Sequence, residues 1–174
     1  MIIILLRNAT TRREGLRVSP LSFQVMDAID QRLIDLLREN ARSSYAELAR
    51  KIGLSAPAVH ERVGKLEASG TLRGYRAEVD HAAIGLGVTA LIGIVEDSGA
   101  DTDDVLAAVR AMPEVESCYF MAGVESYQLI VRVGTIAELE LLIVRINRAP
   151  GVASTRTAIA LSTKWENRPQ PGLD

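Results

Sequence analysis

Between Ser44 and Ser55 the chain carries two helix starts and one abrupt helix stop, a combination that few folds accept. Ser44 followed by Glu47 spells a capping box, in which each side chain satisfies the other residue's free backbone N–H. Leu48, Ala49 and Ile52 then recur at helical spacing, and Gly53 supplies the left-handed residue that ends the helix. Leu54 points back toward the core and Ser55 caps a further helix. Pro57 falls in that helix's first turn, where a missing N–H costs little. An amphipathic stripe of Ile29, Leu33, Leu36 and Leu37 precedes this stretch, with Asp27 or Asp30 as its cap and Asn40 at its end. The last helix carries Val59, Val63 and Leu66 on one side and stops at Gly70. Three helices, the last two joined by Gly53-Leu54-Ser55, predict a helix-turn-helix domain over residues 26–74.

After Gly70 the pattern changes. Thr71–Asp80 alternates as a short extended hinge and His81–Gly87 reads as a linker, so residues 75–87 join two domains. Val88–Val95, Val115–Met121, Tyr127–Val133 and Ala153–Leu161 read as strands. Between them lie two helices. One is capped by Asp101 or Thr102, carries Val105, Leu106, Val109 and Met112, and is stopped by Pro113. The other is capped by Thr135, carries Ile136, Leu139, Ile143 and Ile146, and is broken by Pro150-Gly151. The order β-α-β-β-α-β over residues 88–163 predicts a ferredoxin-like domain, and the whole chain an α+β protein. Two helices cover one face of such a sheet. The first strand is nevertheless apolar on both sides and the third keeps Ile130 on its second face, which implies a partner subunit over that face. The tail, residues 164–174, contains two prolines and is expected to be poorly ordered.

At 174 residues, 48% apolar and 24% charged, the chain suits one ordinary domain or two small ones, and excludes global disorder and collagen-like repeats. No apolar run approaches the ~20 residues of a membrane span, and Met1–Leu6 is too short for a signal-peptide core. The single cysteine, Cys118, has no internal partner. A soluble cytoplasmic protein without membrane association is expected. Residues 1–25 show no sustained period and read as an N-terminal extension, either a flexible arm or the product of an upstream start with Met26 as the native one. The net charge of −2 conceals an asymmetry: +3 over residues 1–25, zero over 26–80 and −5 over 81–174. Between Arg42 and Lys65, five basic side chains face only Glu47 and Glu61.

The chain has no G-x-S-x-G, P-loop or H-E-x-x-H pattern, so hydrolase, nucleotide-binding and zincin chemistry find no support. His60, His81 and Cys118 lack metal-ligand spacing, and no metal or other cofactor is expected.

The two-part layout resembles the Lrp/AsnC family, the feast/famine regulators. The match is carried by Met26-Asp27-Ala28-Ile29-Asp30, Asn40-Ala41-Arg42-Ser43-Ser44, Leu48–Ser55, Arg62–Gly70 and Gly74-Tyr75-Arg76-Ala77. In the second half it continues through Pro113-Glu114-Val115, Cys118-Tyr119, Ala122-Gly123, Tyr127, Arg132-Val133 and Pro150-Gly151-Val152. The motifs are collinear over about residues 26–163. The resemblance implies a transcription regulator that is not an enzyme, with a DNA-binding domain and an effector-binding RAM domain. Such proteins dimerise through their sheets, often assemble as octamers (tetramers of dimers), and take an amino acid or related small metabolite between dimers.

For double-stranded DNA, the outward side of the third helix holds Pro57, Ala58, Glu61 and Lys65, with His60 and Gly64 flanking. Ser55, Ala58 and Glu61 are the base-reading candidates: Ala58 suits a thymine methyl and Glu61 a cytosine amino group. Arg42, Arg62 and Lys65 suit phosphates, with Ser44 and Tyr45 completing the contact set. Arg62 has a competing reading, an ion pair with Glu67 or with an acid of the first helix. Gly64 departs from the family, many of whose members carry a basic residue there. The resemblance places effector contacts at Met121, Ala122, Gly123, Val124, Glu125, Ser126 and Tyr127, to which Thr155 and Thr157 on the last strand add hydroxyls unless they merely fill strand positions. Many relatives carry Asp where Val124 and Ser126 stand, so Glu125 is the one carboxylate left in that turn. Two other classes stay open. One is the tetrapyrrole decarboxylases that share this layout, for which only His81 lies near the right place. The other is a ligand-independent architectural DNA-binding protein.

Overall fold

The protein is described by a computed structural model covering residues 26–168, so the expectations for residues 1–25 and 169–174 lie outside the described residues. The described chain divides into two compact units, one ending at Tyr75 and the other running from Arg76 to Arg168.

The first unit is three helices: α1 (Ala28–Glu39), α2 (Tyr45–Ile52) and α3 (Ala56–Ala68). Each begins on a side-chain cap, with Asp27, Ser44 and Ser55 accepting from the N–H groups of Asp30, Glu47 and Ala58. The capping box at Ser44 is complete, because Glu47 also accepts from the Ser44 N–H at 2.7 Å. Those donors hold the Glu47 carboxyl below its ordinary value. Gly53 ends α2 at φ +74°, so the backbone reverses without the clash an L side chain would bring. Leu33, Leu36, Leu48, Val59 and Val63 close the core of this unit. The third helix ends at Ala68 rather than at the expected Gly70, because Ser69 already caps it.

The second unit opens with a short 3-10 turn (Ala82–Ile84) and then runs β1 (Val88–Glu96), α4 (Thr102–Arg110), β2 (Val115–Phe120), β3 (Tyr127–Val133), α5 (Ile136–Asn147) and β4 (Val152–Ile159). The sheet order is β2-β3-β1-β4 and its pairs are antiparallel. Ala90, Ile92, Ile94, Leu129 and Val131 face Val105, Leu139, Leu142 and Ile146 of the two helices. The predicted order of elements is the observed one, with boundary differences. The fourth helix stops at Arg110, before Met112, and the second strand stops at Phe120, where the Met121 N–H turns to the Ser126 carbonyl. The last strand runs Val152–Ile159, not to Leu161.

The tail departs from expectation. Glu166 reaches back to Arg132, both of its oxygens within 2.8 Å of one guanidinium nitrogen, so the part of the tail through Arg168 belongs to the second unit. A lone glutamate beyond the last strand gives no sequence signal of a docked segment. Among the described residues no helix is long and apolar enough to cross a membrane.

Candidate nucleic-acid interface and effector turn

The buried stripe Val59, Val63 and Leu66 fixes which side of α3 faces outward. Pro57, His60, Glu61 and Lys65 are exposed on the other side, and Ala58 is half-buried. The Lys65 ammonium donates to Glu61 at 2.7 Å across one helical turn, and this bond keeps the Glu61 carboxyl below its ordinary value. Ser55 spends its hydroxyl on the cap, and so does Ser44 on α2. The Tyr45 ring stands edge-on to His60, centroids 5.1 Å apart, tying the start of α2 to the middle of α3. That contact is invisible in sequence, because it depends on how the two helices cross. Arg42 is exposed, its N–H bonded to the Asn40 side chain.

Arg62 corrects the phosphate expectation. Its Nη1 donates at 2.7 Å to Asp27 and at 2.7 Å to Asp30, the competing reading realised with α1 acids rather than with Glu67. The two carboxylates hold its guanidinium above its ordinary value. Asp27 is held below its own by the Asp30 N–H first and the guanidinium second. Arg62 thus clamps α3 to the start of α1. Glu67 instead accepts from the Tyr75 hydroxyl at 2.9 Å, and burial together with that bond pushes the phenol up to about 12.

Gly64 sits exposed in the middle of α3, and a Cβ there meets nothing within 4 Å. Gly64→Ala is therefore expected to stabilise the helical unit by about 0.5–1 kcal/mol, read as a raised melting temperature.

In the second unit the β2–β3 turn is tied by Met121 N–H to the Ser126 carbonyl and Ser126 N–H to the Ile94 carbonyl, both 2.8 Å. Met121, Ala122, Gly123 and Val124 are exposed, whereas Glu125 and Ser126 are half-buried. Glu125 folds over Gly93, where a Cβ would lie 2.7 Å from its Cγ, and pairs with Arg156 at 2.9 Å. Arg156 escaped sequence reasoning because a solvent-facing arginine in a strand carries no local signal. Tyr127 is corrected. At 1% exposure its ring is core, packed against Phe120 at 5.6 Å, and cannot present itself to a ligand. Thr155 exchanges hydrogen bonds with Asn147 of α5, and Thr157 lies on the same helix-facing side of β4.

The uncovered side of the sheet carries Leu91, Val95, Tyr119 and Ile130, with Leu91 and Tyr119 41% and 53% exposed. At its end Arg132, 6% exposed, donates to Thr89 at 2.8 Å and is gripped by Glu116 and Glu166. Burial pulls this guanidinium's pKa down, but the two carboxylates outweigh that and hold it above its ordinary value.

Comparison with known proteins places both units. Residues 26–67 match the AsnC-type helix-turn-helix domain and residues 89–170 the Lrp/AsnC ligand binding domain. The chain is 39% identical over 145 residues to the HTH-type transcriptional regulator LrpA of Mycobacterium tuberculosis, covering 83% of this chain and 96% of that protein. It is 34% identical over 137 residues to the regulatory protein AsnC of Haemophilus influenzae, covering 78% and 91%. Among solved structures, a feast or famine regulatory protein from M. tuberculosis complexed with L-methionine superposes at a TM-score of 0.80 with 38% identity, covering 84% of this chain and 99% of that one. With both of its units matched in order, the chain belongs to the Lrp/AsnC family of transcription regulators.

Proposed function

We propose that α3 enters the DNA major groove with Pro57, Ala58 and Glu61 toward base edges, while Arg42 and Lys65 meet phosphates. One observation carries this: α3 leaves a complete outward side uncovered within its own unit while its inward side is sealed by Val59 and Val63, each 0% exposed. Arg62 acts behind that surface as a positioning residue.

Dimers form through the uncovered sheet face, whose exposed Leu91 and Tyr119 support a protein partner there, and dimers assemble further into a tetramer of dimers. The protein acts without catalysis in the cytoplasm. An amino acid effector lies at the turn 121–126, held by its backbone N–H groups around Gly123, with Glu125 available to an ammonium once it leaves Arg156. L-methionine in the related solved structure supports that ligand class. Such a ligand shifts assembly, and through it DNA geometry, only by binding one assembly more tightly.

Fluorescence anisotropy with DNA from the protein's own promoter region, repeated across a salt series, tests the DNA reading. Binding is expected to weaken steeply with salt. Lys65→Ala should weaken it on every sequence alike and flatten the log–log salt slope by about one. Salt-insensitive or absent binding removes the proposal.

A further inference from the structure

At the end of the uncovered sheet face, a cavity of about 350 Å³ opens beside Thr89 and Arg132. That volume falls in the range of small-molecule sites, roughly 300–1,000 Å³. The linker contributes Glu78, Asp80 and His81 to the wall, and Glu166 forms the lip. Arg132 is the one charged side chain among the described residues that is buried. All three of its nitrogens are engaged, Nε by Glu116 and Nη1 by Thr89, while Glu166 places both oxygens, at 2.8 and 2.7 Å, on the single nitrogen Nη2. The strongest carboxylate recognition instead gives one oxygen to each of two nitrogens of the planar fork. Glu166 also arrives on an irregular segment, so its release breaks no helix or strand. His81 lines the same wall.

We propose that this cavity is a second small-molecule site, selective for free amino acids, in which the ligand carboxylate takes the place of Glu166 on Arg132 and the ligand ammonium faces Glu78 and Asp80. The charges decide the class. A plain monocarboxylate only exchanges one anion for another, whereas a zwitterion also sets its ammonium against the exposed carboxylates of Glu78 and Asp80 in the same wall. Glu166 is then a tethered competitor, and the apparent affinity is the intrinsic one reduced by the fraction of molecules in which it has let go. The site is separate from the turn 121–126 and stands whether or not that turn takes a ligand.

The chain carries its own reporter. Trp165, the sole tryptophan, is 75% exposed and adjoins Glu166. Each proteinogenic amino acid other than tryptophan is titrated at millimolar concentration into the full-length protein while Trp165 anisotropy is followed. At least one is expected to lower it saturably as the segment is released, and its α-amide and its des-amino acid should not. Glu166→Gln should tighten that amino acid roughly fivefold or more, since the competitor is gone. Arg132→Lys, with its fold checked by circular dichroism, should abolish the response, because an ammonium lacks the fork. Glu125→Gln should leave it unchanged. The proposal is overturned if no amino acid moves Trp165, if the amide serves equally well, or if Glu166→Gln binds no more tightly. It is equally overturned if Glu125→Gln removes the response, which would assign the ligand to the turn.

Discussion

Leu48→Ala is expected to abolish DNA binding while leaving the second unit folded. Leu48 is 0% exposed and packs in one core with Leu33 and Val59. Truncating a buried leucine costs about 2–5 kcal/mol, the lost transfer energy plus the cavity left behind. A unit as small as the three helices holds only roughly 3–5 kcal/mol of stability to begin with. The substitution therefore removes most or all of it. The second unit has its own core, in which Ile92, Leu129 and Leu142 are each 0% exposed, and shares no buried residue with the first. Calorimetry should show the lower transition lost and the upper one unmoved, and anisotropy should show no binding to promoter DNA. A single transition shifted as a whole would refute the independence of the two cores.

Gly93→Val should produce the second large effect, at the opposite end of the molecule's function. Gly93 is buried and Glu125 lies across it, with 2.7 Å between a Cβ at position 93 and the Glu125 Cγ. A valine there cannot coexist with Glu125 in its present place. Overpacking of this kind costs about 1–3 kcal/mol. It also breaks the Glu125–Arg156 pair and raises a ridge on the sheet face assigned to the dimer. Light scattering should report a smaller assembly, and the amino acid response at the turn should disappear. Glu125→Ala added to Gly93→Val is expected to recover much of the stability, because it removes the atoms that collide. Failure of that rescue would show that something other than Glu125 makes glycine necessary at position 93.

Much of this was legible before any coordinates. Asp27, Ser44, Gly53, Ser55 and Thr135 act over one turn of chain, so their roles as caps and stops follow from residue type and spacing alone. Where reading failed, as at Glu166, or left two alternatives open, as at Arg62, the cause lies in distance along the chain. Arg62 meets acids 32 and 35 residues away, and Glu166 reaches an arginine 34 residues back. No local pattern distinguishes such a charge from one that faces solvent. Tyr127 failed differently: the resemblance placed it among the effector contacts, but strand alternation from Leu129 and Val131 already placed it on the core side.

The Glu61–Lys65 pair has a consequence for how such a regulator finds its target. If α3 reads DNA as proposed, then while Lys65 stays on Glu61 the outward charges of the helix cancel, and the helix adds little to the attraction of chromosomal DNA of arbitrary sequence, which rests on uncompensated cations. Gliding along the duplex then falls to the other exposed cations, Arg42, Arg50 and Lys51. Under that reading fewer copies are held in reserve on decoy sequence, and occupancy of the true target follows their number in the cell more directly.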